Sequence, residues 1–271
     1  MVSSAGNRAA PIGIFDSGLG GLTVAHAIMR QLPAESLVYF GDTARVPYGP
    51  KSPDTVRRYS HESAAYLLEQ GVKAIVVACN TATAHALPML ERELDVPVIG
   101  VVEPGARAAV RAWRSGRIGV IATAGTIKSG AYVRAIHAEA PDARVTARAC
   151  PLFVPLVEEG WINHDATWSV AQEYLGPFVH DEVDTLVLGC THYPLLKPLI
   201  GEIIGRDVRL IDSAEETALD TQRMLAEHSL AATSGEGTYR FVASDDQQQF
   251  LTLGQRFFGD TIERVEIRTF G

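Results

Sequence analysis

The sequence predicts an α/β fold: two similar parallel-sheet domains with pseudo-two-fold symmetry, facing each other across a cleft that holds the active site. Three observations predict it. Short β-branched runs alternate with longer helical patterns, which argues a parallel sheet. Most of the runs are continuously apolar, as in strands covered by helices on both faces. The two halves also echo one another. Ile12-Gly13-Ile14-Phe15 resembles Ile118-Gly119-Val120-Ile121, offset by 106 residues, and the run from Val72 to Cys79 resembles that from Val183 to Cys190, offset by 111. One loop insertion accounts for the difference. Open parallel sheets bind ligands at the carboxyl ends of their strands, so two such sheets face to face share one cleft.

Strands are expected over 12–15, 37–40, 74–77, 97–99, 117–121, 145–149, 185–188 and 208–211. Helices are expected near 21–32, 53–70, 81–94, 103–114, 126–138, 165–180, 195–204 and 213–228. The tail reads as an added unit: a strand at 239–243, a helix near 245–257 and a strand at 261–267. No Gly/Ser-rich linker marks a boundary, and the repeat alone places one near residue 100.

Composition narrows the class. A length of 271 residues fits one large domain or two small ones. Hydrophobic residues at 46% and charged residues at 21% exclude a disordered or fibrous chain. The net charge is −8 with no long Lys/Arg run, which argues against nucleic acid as substrate. Three cysteines are too few for a disulfide scaffold, and an odd count leaves a thiol free, so a reducing, cytoplasmic location is expected. Met1 to Ala10 lacks the apolar core of a signal peptide. Apolar stretches such as 74–79 fall far short of the roughly 20 residues that cross a bilayer, so no membrane partner is expected.

Two thiols carry the chemical argument. Cys79 closes an apolar strand and precedes Asn80-Thr81-Ala82-Thr83; Cys190 closes another and precedes Thr191-His192-Tyr193-Pro194. A helix N-terminus beside such a thiol offers free N–H groups and a partial positive charge, which favour a thiolate or a bound carboxylate. A single Cys at a strand end reads equally well as a small buried residue; two in matching settings point to chemistry. Cys150, before Pro151-Leu152-Phe153, lacks polar neighbours and reads as structural.

Other positions carry two readings each. Asp16-Ser17-Gly18-Leu19-Gly20-Gly21 is either a tight turn with Asp16 as an N-cap or a ligand turn with Asp16 as a cleft carboxylate and Ser17 as a donor. It is neither a dinucleotide fingerprint nor a Walker loop. The loop from Gly41 to Pro50 is a plain turn or a clamp for a ligand. Glu158 is a solvated helix end or a carboxylate drawn to the cleft. His192 is structural or a proton shuttle, since histidine titrates near neutral pH. No Cys-x-x-Cys, His-Glu-x-x-His or G-x-S-x-G occurs, so neither a metal nor a serine nucleophile is expected.

Two thiols, one from each half of a pseudo-symmetric cleft, fit two proton carriers on opposite faces of one small molecule. One thiolate takes a proton from carbon, the other thiol returns one from the opposite side, and the product is the mirror image. A thiol's reference pKa of about 8.5 suits both tasks.

With those residues in view, Ile14 to Gly21, Gly41 to Gly49, Cys79-Asn80-Thr81 and Leu188 to Pro194 resemble the signatures of the glutamate racemases of the aspartate/glutamate racemase family, in order from about residue 12 to residue 228. The resemblance implies a racemase of free glutamate that needs no pyridoxal phosphate, metal or other cofactor and supplies D-glutamate for bacterial peptidoglycan. It implies that Cys79 deprotonates D-glutamate and Cys190 deprotonates L-glutamate. Asp16 would assist Cys79, and His192 with Glu158 would assist Cys190. Ser17, Tyr48, Gly49, Asn80, Thr81 and Thr191 would hold the substrate. His192 after Cys190-Thr191 leans toward glutamate, where a glutamate there would lean toward aspartate. The family fold implies two chain crossings, with domain one at 1–98 plus 208–271 and domain two at 99–207. It also implies a homodimer. The alternatives are racemisation of aspartate or a hydantoin, and a non-catalytic amino-acid-binding redox sensor.

Overall fold

The computed structural model describes residues 8–258 and 262–270. The first part of the N-terminal segment and Thr261, where the last strand was expected to begin, lie outside the described residues.

Two parallel sheets form from the predicted runs. The first half supplies β1 (Ile12–Asp16), β2 (Leu37–Gly41), β3 (Ala74–Val77) and β4 (Val98–Gly100). The second supplies β5 (Arg117–Ala122), β6 (Arg144–Ala149), β7 (Thr185–Gly189) and β8 (Arg209–Ile211). The tail adds β9 (Tyr239–Ala243) and β10 (Val265–Ile267) to the free edge of β2. The orders are β10-β9-β2-β1-β3-β4 and β6-β5-β7-β8, with every pairing parallel. Stripped of the tail, both sheets run second-first-third-fourth. The sequence echo is therefore a repeat of topology, and Cys79 and Cys190 follow equivalent strands.

Helices cover both faces of each sheet. In order they are α1 (Leu22–Gln31), α2 (Pro53–Glu69), α3 (Asn80–Glu93), α4 (Val102–Ala112), α5 (Ala124–Ser129), α6 (Ala131–Glu139), α7 (Phe153–Glu158), α8 (Asp165–His180), α9 (Lys197–Ile204), α10 (Ala214–Glu227) and α11 (Gln247–Phe258). Alternate strand residues point to opposite faces. Ile12, Ile14, Tyr39 and Val76 pack under α1, α10 and α11, while Phe15, Val38, Phe40 and Val77 pack under α2 and α3. In the second sheet Val120 and Val187 meet α4 and α6, and Leu186 and Leu188 meet α7, α8 and α9.

The chain crosses between the sheets twice. α4 follows β4 but buries Val102, Ala106 and Ala109 on the second sheet, and α10 follows β8 but buries Ala218 and Leu225 on the first. At the first crossing β4 of the first sheet runs on to Gly100, two residues past the expected boundary, and at the second β8 pairs with β7 of the second sheet. The helix expected over 126–138 is two helices, broken at Gly130, whose φ of +69° is a left-handed conformation natural to glycine. The helix expected over 195–204 opens as a 3-10 turn at Tyr193–Leu196 before α9. β6 and β8 are edge strands and are half-exposed, which explains the polar residues in them.

Far from the strands' carboxyl ends, Lys73 donates to Glu35 and to the Arg8 carbonyl, while Glu35 Oε1 accepts from the Ala232 amide. Both side chains are buried, so this pair pins the N-terminal segment, β3 and the stretch before β9 together.

Candidate active site

In a parallel sheet all carboxyl ends lie on one edge, and the two edges here meet. They line a shared cavity, about 290 Å³ when the open solvent at its mouth is included. The first half contributes Ser17, Tyr48, Gly49, Cys79, Asn80 and Thr81 to its wall. The second contributes Thr123, Cys190, Thr191 and His192. Nine of these ten stand among the residues singled out from sequence as catalytic or substrate-holding; Thr123 was not anticipated, and Cys79 and Cys190 face the same space from opposite sheets.

Cys79 is the N-cap of α3. Its Sγ accepts from the Ala82 amide at 3.5 Å and lies 3.6 Å from Ser17 Oγ, to which it donates. Burial pushes its thiol up to about 12, and negative charge at Asp16 and at Cys190 pushes the same way against the Ala82 amide and Ser17. Cys79 therefore holds its proton at neutral pH, and a thiolate on one cysteine disfavours a thiolate on the other.

Asp16, at the end of β1, is fully buried and stands behind the cavity wall rather than in it. Its Oδ2 accepts from the Gly18 amide at 2.9 Å and its Oδ1 from Thr191 Oγ1 at 3.4 Å. Burial raises its carboxyl above the usual range, against the pull of His192, the Gly18 and Gly21 amides and Thr191. It thus touches the second half through Thr191. It is not the N-cap of α1, which is Gly21 without a side-chain cap; its Oδ2 closes the turn at Gly18 instead.

On the other side His192 Nδ1 lies 3.9 Å from Cys190 Sγ, and its Nε2 lies 3.0 Å from Glu158 Oε1. Burial alone would lower the imidazole. Its hydrogen bonds with Cys190 and Glu158, and their charges, outweigh burial and raise it to about 10. At neutral pH His192 is an imidazolium clamped between a thiol group and a carboxylate. Glu158 lies at the end of α7, outside the inner cavity, and lines an adjoining solvent-open space with Pro47, Val154 and Pro155. Cys150 is buried with its Sγ 3.9 Å from the Arg148 carbonyl, and burial pushes it up to about 12; it does not line the cavity.

Tyr48 is buried and lines the cavity with its ring, but its hydroxyl donates to Asp42. Asp42 also accepts from Arg45 Nε at 2.7 Å and from Ser244 Oγ at 2.9 Å, so the residue after β9 braces the Gly41–Pro50 loop. Gly49 lies against the second half: a Cβ there would meet Thr123 at 2.7 Å, and its carbonyl accepts from the Gly125 amide at 2.9 Å.

Sequence reasoning placed Thr191 but missed the second half's hydroxyls at Thr123, Thr126 and Tyr132. Thr81 Oγ1 lies 2.8 Å from Thr123 Oγ1 and 3.2 Å from Thr126 Oγ1, and Tyr132 donates to Asn80 Oδ1 at 2.7 Å. The repeat could have found Thr123: the 106-residue offset that maps Ile12 onto Ile118 maps Ser17 onto Thr123. No comparable signal marks Tyr132. Among the described residues no group of three or more His, Cys, Asp and Glu side chains stands as a metal site, and no helix is long and apolar enough to cross a membrane.

Comparison with known proteins agrees with this geometry. The model of the Asp/Glu/Hydantoin racemase family matches residues 12–221. A glutamate racemase from Geobacter metallireducens is 54% identical over 94% of each chain. The structure matches that of a glutamate racemase isoform from Bacillus anthracis with a TM-score of 0.92, at 40% identity over 98% of each chain. It also matches a glutamate racemase from Francisella tularensis, solved in complex with D-glutamate, with a TM-score of 0.90 at 38% identity over 97% of this chain and 98% of that one.

Proposed function

The chain belongs to the Asp/Glu/Hydantoin racemase family, and from that premise we propose how its cleft works. It is an isomerase that interconverts L- and D-glutamate, as do relatives alike over nearly its whole length. The observation that carries the mechanism is the pair of thiols. Cys79 and Cys190 follow equivalent strands of two sheets with the same order and reach one cavity from opposite sides.

For L-glutamate, the Cys190 thiolate takes the α-proton and becomes a thiol. The electron pair stays on the α-carbon, delocalised into the carboxylate. The Cys79 thiol then gives its proton to the opposite face, leaving D-glutamate and a Cys79 thiolate. The reverse reaction swaps the roles. Each turnover exchanges which cysteine is protonated, so a proton must return to Cys79 and leave Cys190 before the next. Asp16 serves that return on the Cys79 side, and His192, held by Glu158, on the Cys190 side. The high thiol value at Cys79 fits a resting enzyme poised to act on the L isomer, with Cys79 as the acid.

Ser17, Asn80, Thr81 and Thr191 hold the substrate's polar groups, with Tyr48 and Gly49 forming the wall of the loop. The N–H groups at the start of α3 and the hydroxyls around the cavity are preorganised donors for the charge that develops on the α-carboxylate. The reaction requires neither pyridoxal phosphate nor metal in this reading. The chain is organised as two domains, and it passes between them near residue 100 and again after Ile211. Three unpaired cysteines suit a reducing cytoplasm, and the D-glutamate made there feeds peptidoglycan. The working unit is a homodimer, which analytical ultracentrifugation reads directly.

Circular dichroism at fixed wavelength tests the substrate. L- and D-glutamate should each decay to zero signal, with L-aspartate unchanged. A stable glutamate signal at high enzyme concentration would overturn the assignment.

A further inference from the structure

Tyr132 has no part in the reaction described above, yet it is buried where the two halves meet. Three contacts fix it. From α6 of the second half, its hydroxyl donates to Asn80 Oδ1 at 2.7 Å, at the start of α3 in the first half. Its ring lies against Gly189, where an added Cβ would come within 2.8 Å of Tyr132 Cε2. On α4, a Cβ at Gly105 would reach its hydroxyl at 3.1 Å. The ring thus fits where two neighbouring elements present no side chain. Gly189 precedes Cys190 and Asn80 follows Cys79, so Tyr132 is a strut between the residues next to the two thiols.

Its chemistry fixes more than distance. A carboxamide has an oxygen that accepts and a nitrogen that donates, and which way it faces depends on its partners. Burial holds the Tyr132 phenol well above its ordinary value, and charge at Cys190 and Asp212 pushes the same way. The phenol therefore remains an O–H donor throughout the working range. An O–H aimed at Oδ1 turns the Asn80 amide one way round, with Nδ2 left for the cavity that Asn80 lines.

We propose that Tyr132 is a positioning residue, which orients the Asn80 amide to donate from Nδ2 to a carboxylate of the bound amino acid. This rests on the glutamate reading above. Because donor and acceptor come from different sheets, separating the halves breaks the bond. The oriented amide is a property of the closed cleft.

Tyr132→Phe keeps the ring and removes only the donor. The KM for glutamate should rise roughly two- to tenfold, the worth of one neutral hydrogen bond, with kcat changed less than about twofold. The two enantiomers have equal free energy, so kcat/KM must fall by the same factor in both directions. On an Asn80→Ala background, Tyr132→Phe should add nothing, because its effect runs through Asn80. Asn80→Asp supplies the complementary test. Its carboxylate still accepts from Tyr132 but offers no donor and repels the substrate, so KM should rise further than in Asn80→Ala. Additive effects in the cycle, or an Asn80→Asp enzyme that binds glutamate as the parent does, would overturn the proposal. A thermal unfolding curve checks that Tyr132→Phe is folded; if it is not, the Asn80→Asp and Asn80→Ala comparison decides alone. Failure of the parent chain to racemise glutamate would sink the functional reading itself. Turnover by the parent with an additive cycle would sink only the role of Tyr132.

Discussion

In the proposed mechanism each thiol has its own half-reaction. Cys79→Ser should lower racemisation by about 10²–10⁴-fold, the range for a positioned acid–base group, and Cys190→Ser should do the same. The remaining thiol still meets one enantiomer. In D2O, Cys79→Ser should exchange the α-proton of L-glutamate without inversion, and Cys190→Ser that of D-glutamate. Proton NMR on each enantiomer separately reads this; near-full racemisation by either variant would contradict the two-base scheme. His192 makes a second prediction, in stability. Its folded value of about 10 lies above its unfolded 6.5, so its contribution is complete below pH 6.5 and is lost as pH rises through 10. The buried thiols of Cys79 and Cys150, raised to about 12, add a slope of the same sign above pH 9. The thermal midpoint should fall from pH 6.5 to pH 9, and Glu158→Gln, which removes a partner of the imidazolium, should flatten that fall. An unchanged slope would mean that the clamp does not hold the proton. The thiols, Asp16 and His192 were legible in the sequence because each sits beside a recognisable strand end. Tyr132 and Thr126 were not, because their partners, Asn80 and Thr81, lie about fifty residues away across the cleft.

At the scale of elements, the strands were readable because burial on both faces leaves a continuous apolar run. The break between α5 and α6 was not, since Gly130 differs from a tolerated helix glycine only in its φ. The glycine-rich turn after β1 shows why small residues matter at the seam. A Cβ on Gly20 would lie 2.3 Å from Thr191 Oγ1 and 2.7 Å from His192 Nδ1. Gly20→Ala should therefore hold the halves apart and lower kcat/KM by up to about 10²-fold, the cost of a misplacement near 1 Å. Gly201→Ala in α9 is the contrast: its Cβ would make only an ordinary 3.7 Å contact with Leu210, so it should stabilise by about 0.5–1 kcal/mol and leave activity unchanged. Steady-state kinetics with calorimetry separates the two.

For the whole molecule, the repeated strand order turns two unremarkable sheets into one site. Each sheet brings a thiol, a hydroxyl cluster and a helix N-terminus to its carboxyl edge, and only the pair forms the cavity. The echo between the two halves of the sequence predicted the two sheets. That the tail extends the first sheet depends on pairing between β9 and β2, which local sequence does not encode. The opposite edge carries stability. Removing one partner of the buried Lys73–Glu35 pair, as in Lys73→Ala, leaves the other charge buried and should cost about 3–5 kcal/mol, with kcat unaffected well below the new melting point. The central claim, two cysteines working from opposite faces, is tested most directly by following L-glutamate in D2O. Early in the reaction, chiral separation with proton NMR should find D-glutamate already deuterated at the α-carbon while the remaining L-glutamate still carries its proton. D-glutamate that keeps the original α-proton, or L-glutamate that exchanges as fast as product forms, would contradict it.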